Sequence, residues 1–202
     1  MSMHDETHGA RRRREIVAAA ADLSTAEGLE SLSFSSIAKE VGLTKAGVAA
    51  HFESKEALQL EVVEAAASSY TISLAPAAAR AEPGLPRLAA LGFAWLEHLE
   101  SIEYRGGCFF AAAGQAFAGR PGAVRDAVAR HTRRLLHAMN EQARLAKRLG
   151  ELAARTDPET LAFQIHALAQ EANLRRQLLD DGDAFAGARS ALEQLLSAAK
   201  KP

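Results

Sequence analysis

The sequence predicts an all-α protein of about nine helices. Three observations carry that expectation. Alanine and leucine dominate the chain, and aromatic residues make up only 5% of it, so good helix formers run throughout with few β-branched stretches. Apolar residues recur at intervals of three and four. Glycine, proline, serine and threonine fall between those segments, where helices start and stop.

The first helix is expected from about Arg12 to Glu27, with Ile16, Ala19, Ala20 and Leu23 as its apolar stripe and Gly28 as its stop. Residues 1–10 before it are expected to be disordered. Ser33 is placed to cap a short second helix holding Phe34, Ile37, Ala38 and Val41. Gly42 breaks that helix. Thr44 caps a third, with Val48 and Phe52 on its buried side. Ser54 caps a fourth, where Glu56 meets the positive end of the helix dipole. The fourth helix carries Leu58, Val62, Ala65 and Ala66 and is expected to fade near Pro76.

The loop AEPGLP, residues 81–86, is the clearest break. The fifth helix follows with Leu88, Leu91, Trp95, Leu99 and Ile102, and Gly106 and Gly107 interrupt it. A sixth covers about Cys108 to Ala118. The seventh runs from about Val124 to Leu149, with Val124, Val128, His131, Leu135, Ala138, Gln142, Leu145 and Leu149 on one face. Asp157-Pro158-Glu159 opens the eighth, with proline at the first helical position. Gly182 separates it from the ninth, which offers Phe185, Ala188, Leu192 and Leu195.

Composition limits function. The formal net charge is −1, so the chain as a whole is no polycation. A single cysteine cannot form an internal disulfide, which fits a reducing, cytoplasmic compartment. The charged N-terminal segment argues against a secretory signal, and no apolar run is long enough to span a membrane. Nucleophile elbows, glycine-rich phosphate loops, His-Glu-x-x-His and Cys-x-x-Cys are absent, so no enzyme is expected. His98, His131, His137 and His166 show no short ligand spacing, so neither a metal nor a cofactor is expected.

The second and third helices form a helix-turn-helix on physical grounds. Ala38 is small enough for a second helix to cross close to it. Gly42 can take the left-handed conformation of a tight turn, and Val48 can then pack back, with Ile37, Val41 and Leu43 completing a small core. The stretch REIVAAAADLSTAEGLESLSFSSIAKEVGLTKAGVAAHFESKEAL, Arg14 to Leu58, resembles the TetR family of transcriptional regulators. That family commonly shows an Ile-Ala pair, then Gly-Val-Ser/Thr, then Leu-Tyr-x-His-Phe-x-Ser-Lys-x-x-Leu. The corresponding residues are Ile37-Ala38, Gly42-Leu43-Thr44, and Val48 through Leu58.

The resemblance implies a DNA-binding domain over residues 1–56 and a ligand-binding and dimerisation domain over 57–202. It implies that Thr44 caps the recognition helix and donates to a phosphate. Lys45 would enter the major groove of double-stranded operator DNA, reading guanine or neutralising phosphate. Ala46 and Gly47 would let the backbone approach the bases, and His51 and Lys55 would meet phosphates. Ser33, Ser35 and Ser36 could bond the flanking DNA backbone. Where the family usually has a tyrosine anchor, this chain has Ala49. Residues 1–56 hold seven Lys/Arg and nine Asp/Glu, a balance of −2. Arg11 to Arg14 form either an arm reaching a neighbouring groove or a solvated helix start.

For the rest of the chain the resemblance implies a pocket among the fifth to seventh helices. A bound molecule there shifts the fourth helix and so the spacing of two recognition helices. Trp95, Leu99, Tyr104, Cys108, Phe109, Phe110, Phe117, Phe163, His166, Gln170 and Asn173 are the candidates to line it, suited to a small hydrophobic effector with one or two polar points. For any one of them core packing is the simpler explanation, and Cys108 reads more readily as a buried inert thiol than as a sensing one. The eighth helix is apolar on two sides. One stripe is Leu161, Ile165, Leu168 and Ala172; the other is Phe163, His166, Ala167, Gln170 and Leu174. That surplus points to a homodimer of four helices, with Leu161, Ile165, Leu168, Ala172, Leu192 and Leu195 as its interface. The function expected is a ligand-responsive regulator, a repressor on a palindromic operator. The alternative is a helical ligand-binding or interaction protein with weak or lost DNA binding.

Overall fold

The computed structural model describes residues 8–102 and 104–201. Among them the elements are α1 (His8–Glu27), α2 (Phe34–Glu40), α3 (Lys45–Ala49), α4 (Lys55–Arg80), α5 (Leu85–Ser101), α6 (Phe109–Phe117), α7 (Ala123–Arg148), α8 (Pro158–Leu179) and α9 (Ala184–Ala199). The fold is all-α, as the periodicity predicts. Leu152 and Lys200 form one isolated antiparallel bridge. No described helix is long and apolar enough to cross a membrane.

The residues group into two compact units that do not follow a cut at residue 56. One takes residues 8–67 and 104–129; the other takes 68–102 and 130–201. In the first, Ile16, Val17, Ala20 and Leu23 of α1 pack with Ile37, Val48, Leu58, Val62 and with Phe109 of α6. In the second, α5, α8 and α9 pack on one another. Gly92 makes their approach close: a Cβ there would sit 2.9 Å from Ile165 Cγ2 and 3.2 Å from Leu192 Cδ2.

Several sequence expectations need correction. Residues 1–7 lie outside the described part, but His8, Gly9 and Ala10 are helical, so α1 starts earlier than Arg12. Ala19 is only half-buried, and Val17 and Ala21 join the stripe instead. α4 continues past Pro76 to Arg80. Proline there leaves the carbonyl of Ile72 without its helical donor, but that turn is exposed and water can serve it. The stripe on α7 holds as far as Leu135 and then moves to Met139, Ala143 and Ala146, while Ala138 and Leu149 are exposed. Stepping by sevens drifts about 20° per heptad on a straight helix, which leaves Leu149 exposed and Gln142 half-buried, its Oε1 accepting from the Gly84 N–H at 3.1 Å. Gly182 does lie between α8 and α9, and Asp180 takes the left-handed position after α8, with φ 52°. Short acidic and amide side chains tolerate that conformation.

Candidate nucleic-acid interface

Local caps build the helix-turn-helix. Ser33 Oγ accepts from the Ser36 N–H at 3.0 Å, and Ser36 Oγ accepts from the Ser33 N–H at 3.1 Å. This reciprocal box satisfies two donors at the start of α2. Ser36 Oγ also donates to the Ser33 carbonyl, so these two serines are engaged with each other, while Ser35 is exposed outside the box. Gly42 turns the chain with φ 64°, and the Leu43 N–H donates to the Ala38 carbonyl at 2.9 Å. Thr44 then opens α3, its Oγ1 accepting from the Gly47 N–H at 3.0 Å. That bond leaves the hydroxyl proton available to a phosphate. A Cβ on Gly47 would lie 3.2 Å from that oxygen, so glycine keeps the cap uncrowded.

α3 is anchored on one side only. Val48 is fully buried, and Phe52 is nearly so, stacked on Phe34 with ring centroids 6.5 Å apart. Lys45, Ala46 and Ala50 are exposed; Gly47, Ala49 and His51 are half-buried. Ser54 Oγ accepts from the Ala57 N–H at 3.0 Å and starts α4. Lys55 Nζ donates to the Glu30 carbonyl at 2.6 Å, which draws it toward the loop after α1.

The arginine run belongs to α1 and does not form an arm. Arg11 and Arg12 pair with Glu15 at 3.7 and 2.7 Å. Arg13 donates to both Glu61 oxygens and to the His51 carbonyl, and its guanidinium lies 4.5 Å over the Phe52 ring. The hydrogen bond from Arg13 to Glu61 holds the guanidinium pKa above its ordinary value. The helix places these carboxylates within reach of the arginines, so Arg13 binds the protein instead of an adjacent groove. Sequence reasoning missed this role because Glu61 lies far along the chain. It also missed Arg105, which reaches Asp22 and Glu40 from outside the helix-turn-helix.

The effector candidates do not form one cluster within either unit. Tyr104, Cys108, Phe109, Phe110 and Phe117 belong to the first unit. Cys108 and Phe109 are buried there, and Tyr104, Phe110 and Phe117 pack against its core. Phe163 of the second unit is 72% exposed. Trp95, Leu99, His166 and Gln170 of that unit lie inward, and the structure adds Tyr70, Ser73 and His98 around the indole. Trp95 stacks between His98 and His166, with centroids 5.5 and 6.5 Å away, and meets the edge of Tyr70. Its buried Nε1 has no hydrogen-bond partner. Ser73 Oγ donates to the Ser69 carbonyl, so His98 Nδ1, 3.0 Å from that oxygen, acts as the donor. Burial pushes both His98 and His166 below the ordinary imidazole pKa. Asn173 is buried on α8.

The two stripes of α8 exchange places relative to the expectation. Leu161, Ile165, Ala172 and, on α9, Leu192 are at most 2% exposed, buried inside their own unit. Periodicity reports two apolar faces but not which one the chain's own core consumes. The open stripe is Phe163, Ala167, Leu174 and Leu178. Leu168 and Leu195 line a groove of about 530 Å³ between α8 and α9, with Ala167, Ala191 and Gln194.

Residues 16–62 match the family model of bacterial regulatory proteins of the tetR family, and residues 84–192 match that of the tetracyclin repressor-like C-terminal domain. No curated protein matches the chain. A TetR transcriptional regulator from Chloroflexus aurantiacus J-10-FL aligns with TM-score 0.83 and 23% identity, over 95% of this chain and 97% of that one. The ketosteroid transcriptional regulator KstR2 of Mycobacterium tuberculosis aligns with TM-score 0.73 and 17% identity, over 95% and 96%. AibR, solved in complex with isovaleryl coenzyme A and operator DNA, aligns with TM-score 0.74 and 20% identity, over 92% and 98%. An exposed helix-turn-helix joined to a helical C-terminal region defines a DNA-binding transcriptional regulator. The chain belongs to the TetR family of these regulators.

Proposed function

We propose that the chain is a homodimeric repressor that holds a palindromic operator and releases it when a small, largely apolar effector binds. The observation that carries the DNA part is the one-sided anchoring of α3. Val48 and Phe52 fix it, while Lys45 and Ala46 stand exposed beside a Thr44 hydroxyl that still has a proton to give. Lys45 reads or neutralises, and Ala46 contacts a thymine methyl. Ser35 is the serine of the α2 start best placed for the DNA backbone.

The effector site in this proposal is the cluster around Trp95. Its stacked aromatic faces suit an apolar body, and the unpartnered indole N–H calls for a hydrogen-bond acceptor on the ligand. AibR, of the same fold, was solved with isovaleryl coenzyme A and operator DNA, and KstR2 is a ketosteroid transcriptional regulator. α4 carries Lys55 at its start and Tyr70 and Ser73 further along, so it is the element through which an effector would act on DNA. Dimerisation uses the open stripe of α8 and the α8–α9 groove.

Fluorescence anisotropy with the DNA upstream of the chain's own gene tests this. Specific binding that is lost in Lys45→Ala supports it. Affinity no better than for random DNA sinks it and favours a ligand-binding protein without operator function. The pairing of Arg11, Arg12 and Arg13 and the tether on Lys55 are the observations behind that second reading.

A further inference from the structure

The loop between α5 and α6 grips the helix-turn-helix from outside. Arg105 Nε lies 2.8 Å from Asp22 Oδ2 on α1, and its two terminal nitrogens donate to both Glu40 oxygens on α2 at 3.1 and 2.7 Å. The Arg105 N–H donates to Asp22 Oδ1 at 2.8 Å, and the Gly106 N–H donates to Thr25 Oγ1 at 2.9 Å. The approach is close: a Cβ on Gly106 would sit 2.0 Å from the Thr25 carbonyl oxygen. Gly107, with φ 71°, lets the loop turn back after this contact.

The grip falls at a sensitive place. Glu40 is the last residue of α2, next to the turn that aims α3. α2 has seven residues, buries Ile37 and Ala38 and stacks Phe34 on Phe52 near its start, so a bond at Glu40 adds a separate constraint at its far end. A planar guanidinium that bonds two carboxylates at once fixes α2 against α1 in angle as well as distance.

We propose that Arg105 is a positioning residue for DNA recognition: by clamping Asp22 and Glu40 it sets the pose of α2 and thereby of α3. It touches no base in this account. The inference rests on the DNA-binding reading above.

Glu40→Gln separates this from simple electrostatics. It removes a negative charge from a DNA-binding unit, which by charge alone tightens binding. Loss of the clamp instead weakens specific operator binding, by roughly threefold to tenfold. Gly106→Ala alters no charge and, by forcing the loop off Thr25, should weaken it similarly. Arg105→Lys keeps the charge, loses the fork and should do the same. Amide exchange across residues 34–49 should rise in all three variants of the free protein, with the melting temperature nearly unchanged in Glu40→Gln and Arg105→Lys and lowered in Gly106→Ala, whose Cβ meets the Thr25 backbone. Glu40→Gln binding as tightly as wild type or tighter, with unchanged exchange, overturns the proposal. If wild type itself shows no operator preference, the DNA reading fails, and exchange in the free protein alone decides the clamp: protection unchanged in Glu40→Gln and Gly106→Ala overturns it.

Discussion

Replacing Phe163 with aspartate should split the proposed dimer. Phe163 is 72% exposed in the single chain. An aromatic side chain buries about 150–250 Å² when covered, so even at the lower end the exposed share is about 110 Å². At about 25 cal/mol per Å² this is worth about 3 kcal/mol per protomer. Twofold symmetry counts it twice, about 6 kcal/mol, and half coverage still leaves about 3. The dimer dissociation constant should therefore rise at least about a hundredfold, before the cost of confronting two new carboxylates. Sedimentation velocity across a concentration series measures it directly. Ile165→Ala is the matched control. Ile165 is 1% exposed, so its truncation should cost about 2–5 kcal/mol of folding stability and leave the dissociation constant alone. A Phe163→Asp protein that still dimerises like wild type refutes the argument. So does an Ile165→Ala protein that is well folded and monomeric.

Three further outcomes are expected. Ala49→Tyr restores the anchor the family commonly carries at the last residue of α3 and should tighten operator binding; unchanged affinity in the anisotropy assay means this helix docks differently. Gly42→Ala places a side chain at φ 64° and should cost about 1–2 kcal/mol in urea denaturation, whereas a neutral result contradicts the turn. His98 and His166 are held neutral by burial, so their folded pKa values lie below the ordinary imidazole value of 6.5. Their stabilising contribution is complete above that value and is lost as pH falls below it, because the unfolded chain then binds more protons. Melting temperature should accordingly fall with acidification below about pH 6.5, and His98→Asn should flatten that fall; an identical pH profile in the variant rules His98 out as a contributor.

What the sequence made legible is mostly local. Ser33, Thr44, Ser54 and Asp157 each cap the N–H three residues ahead, a relation printed in the order of residues. Gly42 could be read as left-handed because glycine takes that conformation without steric cost. Partners distant along the chain were not legible. Nothing near Arg13 names Glu61, and nothing near Arg105 names Asp22 or Glu40; only the packing of α1, α2, α4 and the α5–α6 loop brings them together. The two faces of α8 failed for another reason. Both are apolar, and the buried one is the face whose Ile165 packs closely on Gly92 of α5, a contact distant along the chain.

The fate of the arginine run has a consequence for how ionic strength acts on this regulator. Each phosphate neutralised by a protein cation contributes about −0.9 to the slope of log affinity against log salt. Arg11, Arg12 and Arg13 face the chain's own carboxylates, and Lys55 is tethered to a carbonyl. Each protomer then releases few counterions when it docks. Its hold on an operator should change only gently between dilute and concentrated salt, and discrimination must come from the close fit of a small-residue helix in the groove.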